Sequence, residues 1–171
     1  MFGRKLLMVT LRLTHKLQKL LGVDLTEQLK PTTSKLGDWY ANLVPTYSGD
    51  LIIFLNEKTL LSVAIPVWKS DNLLSLFRLR VVNLLGMIGI QPIAIENELS
   101  HYDHIQFGKT RSRNVLGSMN DFAFQYQVIA EQAENKADLS LSKAEYQLSQ
   151  MPCKPIGYKV PSDVVKELLV H

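Results

Sequence analysis

The residues whose types and spacing can do chemistry gather in one short stretch, Gly108-Lys109-Thr110-Arg111-Ser112-Arg113-Asn114. Lys109, Arg111 and Arg113 place three cations within five residues, with the hydroxyls of Thr110 and Ser112 between them. A helical repeat begins directly afterwards, so these groups stand beside the unpaired N–H groups and positive dipole end of a helix. Ser118 lies in its early turns, where Gly117 keeps the backbone open to close approach. That is anion-binding chemistry, with Lys109, Arg111, Ser112, Arg113, Asn114 and Ser118 as the candidate ligand set and a nucleotide or nucleic-acid backbone as the expected partner. The plainer reading is a solvated cationic face in which Ser112 caps the helix. No Gly-rich phosphate-loop spacing accompanies the stretch.

Three other places compete. Glu96, Glu98, His101, Asp103 and His104 put five acid–base or ligand groups within nine residues, but the spacing fits no metal motif and reads as a polar loop. Trp39 and Tyr40 precede Asn42, and an aromatic beside an amide can stack on and hydrogen-bond a base; Trp39 and Asn42 are the stacking candidates. In a strand, a tryptophan more often anchors the core. Cys153, between Pro152 and Lys154, lacks any sequence-adjacent base to make it a nucleophile. No catalytic residue, metal or cofactor is assigned, and a binding module is favoured over an enzyme.

Composition bounds these readings. Of 171 residues, 46% are hydrophobic and 20% charged, which belongs to a folded globular chain rather than a disordered one. A formal charge of +3 is too small to indicate nucleic-acid binding by itself, so a basic surface must be argued locally. One such extension is the first 35 residues, where seven Lys and Arg face only Asp24 and Glu27. The single cysteine forms no internal disulfide, and no apolar run reaches the ~18 residues a membrane helix needs. A cytoplasmic protein with no membrane partner is expected.

The elements that must position these groups follow from periodicity. Met8 to Leu13 alternates as a half-buried strand with Thr10 and Arg12 outward, and Thr14 opens a short helix that stops at Gly22. Asp24 to Lys35 is a polar connection. Trp39 to Val44 is a strand; Leu51–Leu55 and Leu60–Ile65 form a hairpin about Asn56-Glu57-Lys58-Thr59. Asp71 caps a long helix through Ile88, and Ile93–Ile95 and His104–Lys109 are shorter strands. Val115, Leu116, Met119, Phe122, Tyr126 and Ile129 mark a second long helix. After a polar stretch from Glu131 to Asp138, Ser142 and Glu145 form a capping box for a short helix ended by Pro152, and a last helix follows Pro161. The sum is a single α+β domain over 1–171, a mixed and mostly antiparallel sheet with two principal amphipathic helices packed on it. Residues 1–7 are set apart as a flexible N-terminal extension.

Four strings in this order, LRLTHKLQKLL at Leu11–Leu21, WYANL at Trp39–Leu43, LNEKTLLS at Leu55–Ser62 and SRNVLGSMNDF at Ser112–Phe122, resemble a bacterial family known as domain of unknown function 6933. Its most specific element is VLGSMND at Val115–Asp121; the basic residue that commonly precedes it is offset here by one, as Arg113-Asn114. The resemblance implies the fold and a setting among plasmid, phage and other accessory genes, and implies no activity. That setting raises a second expectation, an interaction partner such as an antitoxin or an accessory subunit of a defence system. A third, a phosphoryl or nucleotide-processing enzyme, requires the Glu96–His104 cluster to meet the basic stretch in space.

Overall fold

The computed structural model describes residues 5–133 and 140–170. Its chain order is β1 (Val9–Leu13), α1 (His15–Leu21), β2 (Trp39–Val44), β3 (Leu51–Asn56), β4 (Ser62–Pro66), α2 (Leu73–Met87), α3 (Pro92–Leu99), β5 (Ile105–Lys109), α4 (Arg113–Gln132), α5 (Leu141–Ser149) and α6 (Pro161–Leu169). The first four residues of the expected N-terminal extension lie outside the described residues, as do residues 134–138 of the polar stretch after α4. Leu6 and Leu7 are exposed, and the buried chain starts at Met8.

The five strands form one mixed sheet in the order β4-β3-β2-β1-β5. Antiparallel pairing joins β2 to β3 and β3 to β4, while β1 runs parallel to both β2 and β5. The architecture is α+β, with helices on both faces. On one face, Leu11, Trp39, Phe54 and Val63 pack against Leu17 of α1, Phe77, Val81 and Leu84 of α2, Leu99 of α3 and Val165 of α6. On the other, Tyr40, Ile53, Leu55 and Ala64 meet Met119, Phe122 and Tyr126 of α4 and Ala144 and Leu148 of α5. The two longest helices, α2 and α4, therefore lie on opposite sides of the sheet.

Local corrections follow from physical causes. Ile93–Ile95 is helical, not a strand, because Pro92 stands at the first helical position, where its missing N–H costs nothing. Asp71 does not cap α2; it sits in a 3-10 turn over Val67–Asn72 that leads into the helix. The capping box at Ser142 and Glu145 is not formed either. Ser140 caps α5 by accepting from the Lys143 N–H, while Glu145 points inward to accept from the Ala64 N–H at 2.8 Å and from Arg80 Nε at 2.7 Å. Thr14 occupies the cap position of α1 without making a side-chain cap bond, and donates instead to Asn42 Oδ1 at 2.8 Å.

The main surprise is β1. Its alternation sends Val9, Leu11 and Leu13 into the α2 side, as expected, yet Thr10 and Arg12 are also buried. The irregular segment between α1 and β2 covers β1 and β5 on that second side. It is held there through the Thr26 N–H to the Phe107 carbonyl, the Thr10 N–H to Thr32 Oγ1, and the Met8 N–H to Thr33 Oγ1. Gly108 lets this cover approach closely, since a Cβ there would stand 2.8 Å from the Leu29 side chain and 3.3 Å from that of Thr10.

Phe77 is the centre of the larger core, stacked on Phe54 at 4.4 Å, beside Tyr102 at 5.9 Å, and edge-on to Trp39 at 5.2 Å. Phe77→Ala is expected to lower unfolding free energy by about 3–5 kcal/mol, measured as a shift of the urea midpoint at unchanged slope.

Candidate functional site

Burying Arg12 on β1, an interior strand of the sheet, forces partners around it, since an unpaired guanidinium in the interior would cost far more than the fold can offset. Its Nε donates to Asp38 Oδ2 at 2.7 Å and its Nη1 to the Lys109 carbonyl at 2.8 Å. Thr32 Oγ1 donates to the other oxygen, Asp38 Oδ1, at 2.5 Å. Both oxygens of the carboxylate are thus engaged by the fold itself. Arg111 then approaches Asp38 Oδ2 at 3.5 Å and Glu57 Oε2 at 3.9 Å, with its side chain 61% exposed.

The hairpin between β3 and β4 is held in register with this pair by Asn56, which is fully buried. Its Nδ2 donates to the carbonyls of Leu36 and Asp38 at 2.9 and 3.3 Å, and its Oδ1 accepts from the N–H groups of Lys58 and Thr59. Glu57 follows it, and its own N–H bonds the Asp38 carbonyl at 3.1 Å. Gly37, at φ +76°, leaves room for the stem of Lys58, whose Cε would lie 2.9 Å from a Cβ placed there. The Glu57 carboxyl is raised above its ordinary value, chiefly because burial penalises its charge and then because Asp38 is close; Arg111 and the Asp38 backbone N–H oppose the rise.

These groups line a cleft of about 380 Å³ that carries Arg12, Lys30, Lys58 and Arg111 against Asp38 and Glu57. A wider hollow of about 640 Å³ adjoins it through Glu57 and Lys58, adding Arg113, Asn114, Ser118 and Lys154, with Asp121 as a further acid. Six cations and three carboxylates line the two together, so the surface is electropositive where the whole chain is nearly balanced.

The expected anion set is divided by this arrangement. Arg111 belongs to the first hollow, and Arg113, Asn114 and Ser118 to the second. Ser112 is the N-cap of α4, its hydroxyl accepting from the Val115 N–H at 3.2 Å. Lys109 gives its carbonyl to Arg12 and is exposed at the end of β5. The Tyr40 hydroxyl accepts from the Ser112 N–H at 3.1 Å and the Arg111 N–H at 3.4 Å, which fixes the start of α4 over the sheet. Asp38, Glu57 and Lys58 lie outside the expected set, and Arg12 enters it only as one of the seven cations of the first 35 residues; its interruption of an apolar alternation is the signal that marks it.

Stacking by Trp39 is overturned. The ring is fully buried in the aromatic core and its Nε1–H donates to Tyr102 Oη at 2.8 Å. Asn42 is buried and holds Thr14.

The Glu96–His104 cluster resolves into structure rather than a loop. Glu98, on α3, accepts from the Lys35 N–H at 3.0 Å and from Tyr102 Oη at 2.9 Å, and burial raises its carboxyl above the ordinary value. His101 Nδ1 meets Thr33 Oγ1 at 2.6 Å, and Asp103 pairs with Arg78 at 2.8 Å. Among the described residues, no group of three His, Cys, Asp or Glu could hold a metal ion. Tyr102 packs on the Trp39 side of the sheet and Arg111 reaches Tyr40 on the other, so the acidic cluster and the basic stretch do not converge. Cys153 is half-buried with its thiol raised by burial and Asp121, which is the opposite of nucleophile activation.

Fold and site thus define a mixed α+β domain with a polar, electropositive cleft organised by a buried arginine. The chain belongs to the domain of unknown function 6933 family, whose model matches residues 10–164. No curated protein and no solved structure matches it. No helix among the described residues is long and apolar enough to cross a membrane.

Two measurements check the electrostatics of this region. Arg12→Ala, which strands the buried Asp38 carboxylate, is expected to cost about 3–5 kcal/mol in urea unfolding, while Arg111→Ala, at an exposed and longer pair, stays within ~1 kcal/mol. Glu98 retains a proton in the folded chain above the pH at which the unfolded chain loses it. Its contribution to stability therefore falls as pH rises from the ordinary value of 4.5 through the raised one. Glu98→Gln should flatten that part of the pH dependence, and an unaltered slope on the alkaline side of 4.5 would show that Glu98 ionises normally.

Proposed function

We propose that this protein binds a nucleic-acid strand by its phosphate backbone along the two joined hollows. The observation that carries this reading is the convergence, from separate segments of the chain, of Lys30, Lys58, Arg111, Arg113 and Lys154 on one continuous surface whose carboxylates are outnumbered. Asp38 is neutralised by Arg12 and hydrogen-bonded by Thr32, so the positive charge of Arg111 is available to an incoming anion. The first turn of α4 adds unpaired backbone N–H groups beside Arg113 and Asn114. Two hollows in series suit a strand spanning several phosphates better than a mononucleotide, whose single phosphate cluster would fill only one. Lys109, exposed at the end of β5, lines neither hollow and adds only long-range positive charge. An accessory nucleic-acid binder also accords with the mobile-element or defence setting implied by the family resemblance.

A second reading has its own observation. Trp68 is 78% exposed on the rim of a separate hollow of about 550 Å³, beside Leu76, Arg80 and Leu141, with the Lys69 ammonium 4.8 Å from its ring. Large exposed aromatics of this kind anchor protein partners. A protein partner encoded nearby would engage this face and leave the cationic one free.

Fluorescence anisotropy with labelled single-stranded RNA, single-stranded DNA and duplex, each of about 20 nucleotides, tests the first reading. Wild-type binding should weaken steeply with salt. The triple change Lys109→Ala, Arg111→Ala, Arg113→Ala should weaken it further and reduce the salt slope by about 1 for each phosphate no longer neutralised. Unchanged binding by the triple variant would remove the reading. Trp68→Ala should leave nucleic-acid binding intact and release any protein that co-purifies.

A further inference from the structure

Of the carboxylates lining the first cleft, Glu57 is the one at the mouth that the fold leaves less committed. Asp38 has both oxygens engaged by side chains, by Arg12 at 2.7 Å and Thr32 at 2.5 Å. The Glu57 carboxylate is steadied by the Asp38 backbone N–H, and the cation beside it, Arg111, stands 3.9 Å away. It is also largely buried, with 19% of its side chain exposed, and it sits where the two hollows join. A carboxylate in this position is an electrostatic liability for a surface that only binds phosphate, since it repels the ligand. Its place is understandable if it takes a proton.

Resting on the reading that the cleft holds a nucleic-acid backbone, we infer that Glu57 is a general base for cleavage of RNA, with Arg111 clamping the scissile phosphate and Lys58 protonating the leaving group. The nucleophile is supplied by the substrate. The ribose 2′-oxygen attacks the adjacent phosphorus as its proton passes to the Glu57 carboxylate. The bond from phosphorus to the 5′-oxygen breaks, and that oxygen takes a proton from the Lys58 ammonium. The products are a 2′,3′-cyclic phosphate and a free 5′-hydroxyl. Glu57 then releases its proton to solvent and Lys58 regains one, so no other reactant is consumed.

The surroundings suit each role. Arg111 is held loosely between two carboxylates at 3.5 and 3.9 Å, leaving donors free to grip phosphate oxygens as charge builds on them. Lys58 follows Glu57 directly; it lines the cleft with its stem laid across Gly37, and its ammonium donates to the exposed Lys35 carbonyl at 3.3 Å, a contact it must give up to reach a leaving group. Partial burial with Asp38 nearby makes Glu57 a stronger base than a solvated carboxylate, as proton abstraction requires. DNA has no 2′-hydroxyl and is a ligand but not a substrate.

The test uses the full chain with 5′-labelled RNA of about 20 nucleotides and the matching DNA, in chelator, with binding measured by anisotropy on the same samples. Wild type is expected to cut the RNA to products ending in 2′,3′-cyclic phosphate, identified by mass, and to leave the DNA whole. Glu57→Gln should lose at least about 100-fold in rate, the range typical of a lost general base, while its affinity holds or rises because a negative charge is gone. Lys58→Ala should slow cleavage too, and Arg111→Ala should lose both binding and rate. Intact RNA in a wild-type sample that binds it overturns the catalytic role and leaves the binding reading standing. Cutting by Glu57→Gln at the wild-type rate overturns the role as well, as does cutting that takes DNA. Failure of wild type to bind either strand removes both readings together.

Discussion

A guanidinium buried on an interior strand of a sheet must be answered by the rest of the chain, and much of what surrounds this cleft is that answer. Arg12 lies between two parallel neighbours, and its side chain is only 9% exposed. Asp38 neutralises it, the Lys109 carbonyl takes a second donor, and Thr32 completes the carboxylate. Those three partners come from the cover segment, the entrance to β2 and the end of β5. One buried charge therefore ties together parts of the sequence as far apart as Arg12 and Lys109. Gly108 suits the same packing, because a Cβ there would stand 2.8 Å from the Leu29 side chain and 3.3 Å from that of Thr10.

Asn56 acts as the second tie. Its amide binds two carbonyls of the incoming chain while its oxygen closes the β3–β4 turn, so the acidic and basic side chains at Glu57 and Lys58 are presented at a defined height beside Asp38. The Tyr40 hydroxyl does the same for α4 by accepting two N–H groups at its start. The cationic side chains at Lys58 and Arg111 are thus carried on backbone anchored by buried polar groups. Charged ends carried on rigid backbone suit the nucleic-acid reading proposed above.

Away from the cleft, similar residue types serve structure alone. Glu98, Tyr102 and Trp39 form a buried chain of hydrogen bonds that fastens α3 to the segment before β2, with Leu36 as a further donor to the carboxylate. Glu145 and Arg80 tie α5 to β4 and α2. These buried carboxylates cross-link layers, each met by side-chain and backbone donors together. Glu57 departs from that rule: a backbone N–H steadies it, and its cation keeps its distance.

Local pattern settled the element types wherever one periodicity ruled alone. The apolar hairpin of β3 and β4, the apolar stripes of α2 and α4 and the alternation of β1 all follow from it. Composition located the basic stretch before α4. Ile93–Ile95 lies beyond that rule, because three apolar residues carry no period and only the preceding proline tells helix from strand. Which residues stand together was settled by packing. Whether Arg12 faces water or a buried carboxylate depends on strand order, which places β1 inside the sheet, and no local spacing encodes that. The meeting of Asp38, Glu57 and Arg111, and the separation of the Glu96–His104 cluster to the far side of the sheet, are long-range consequences of the same strand order. A cleft is made by contacts between distant segments, so its chemistry becomes visible only once those segments are packed.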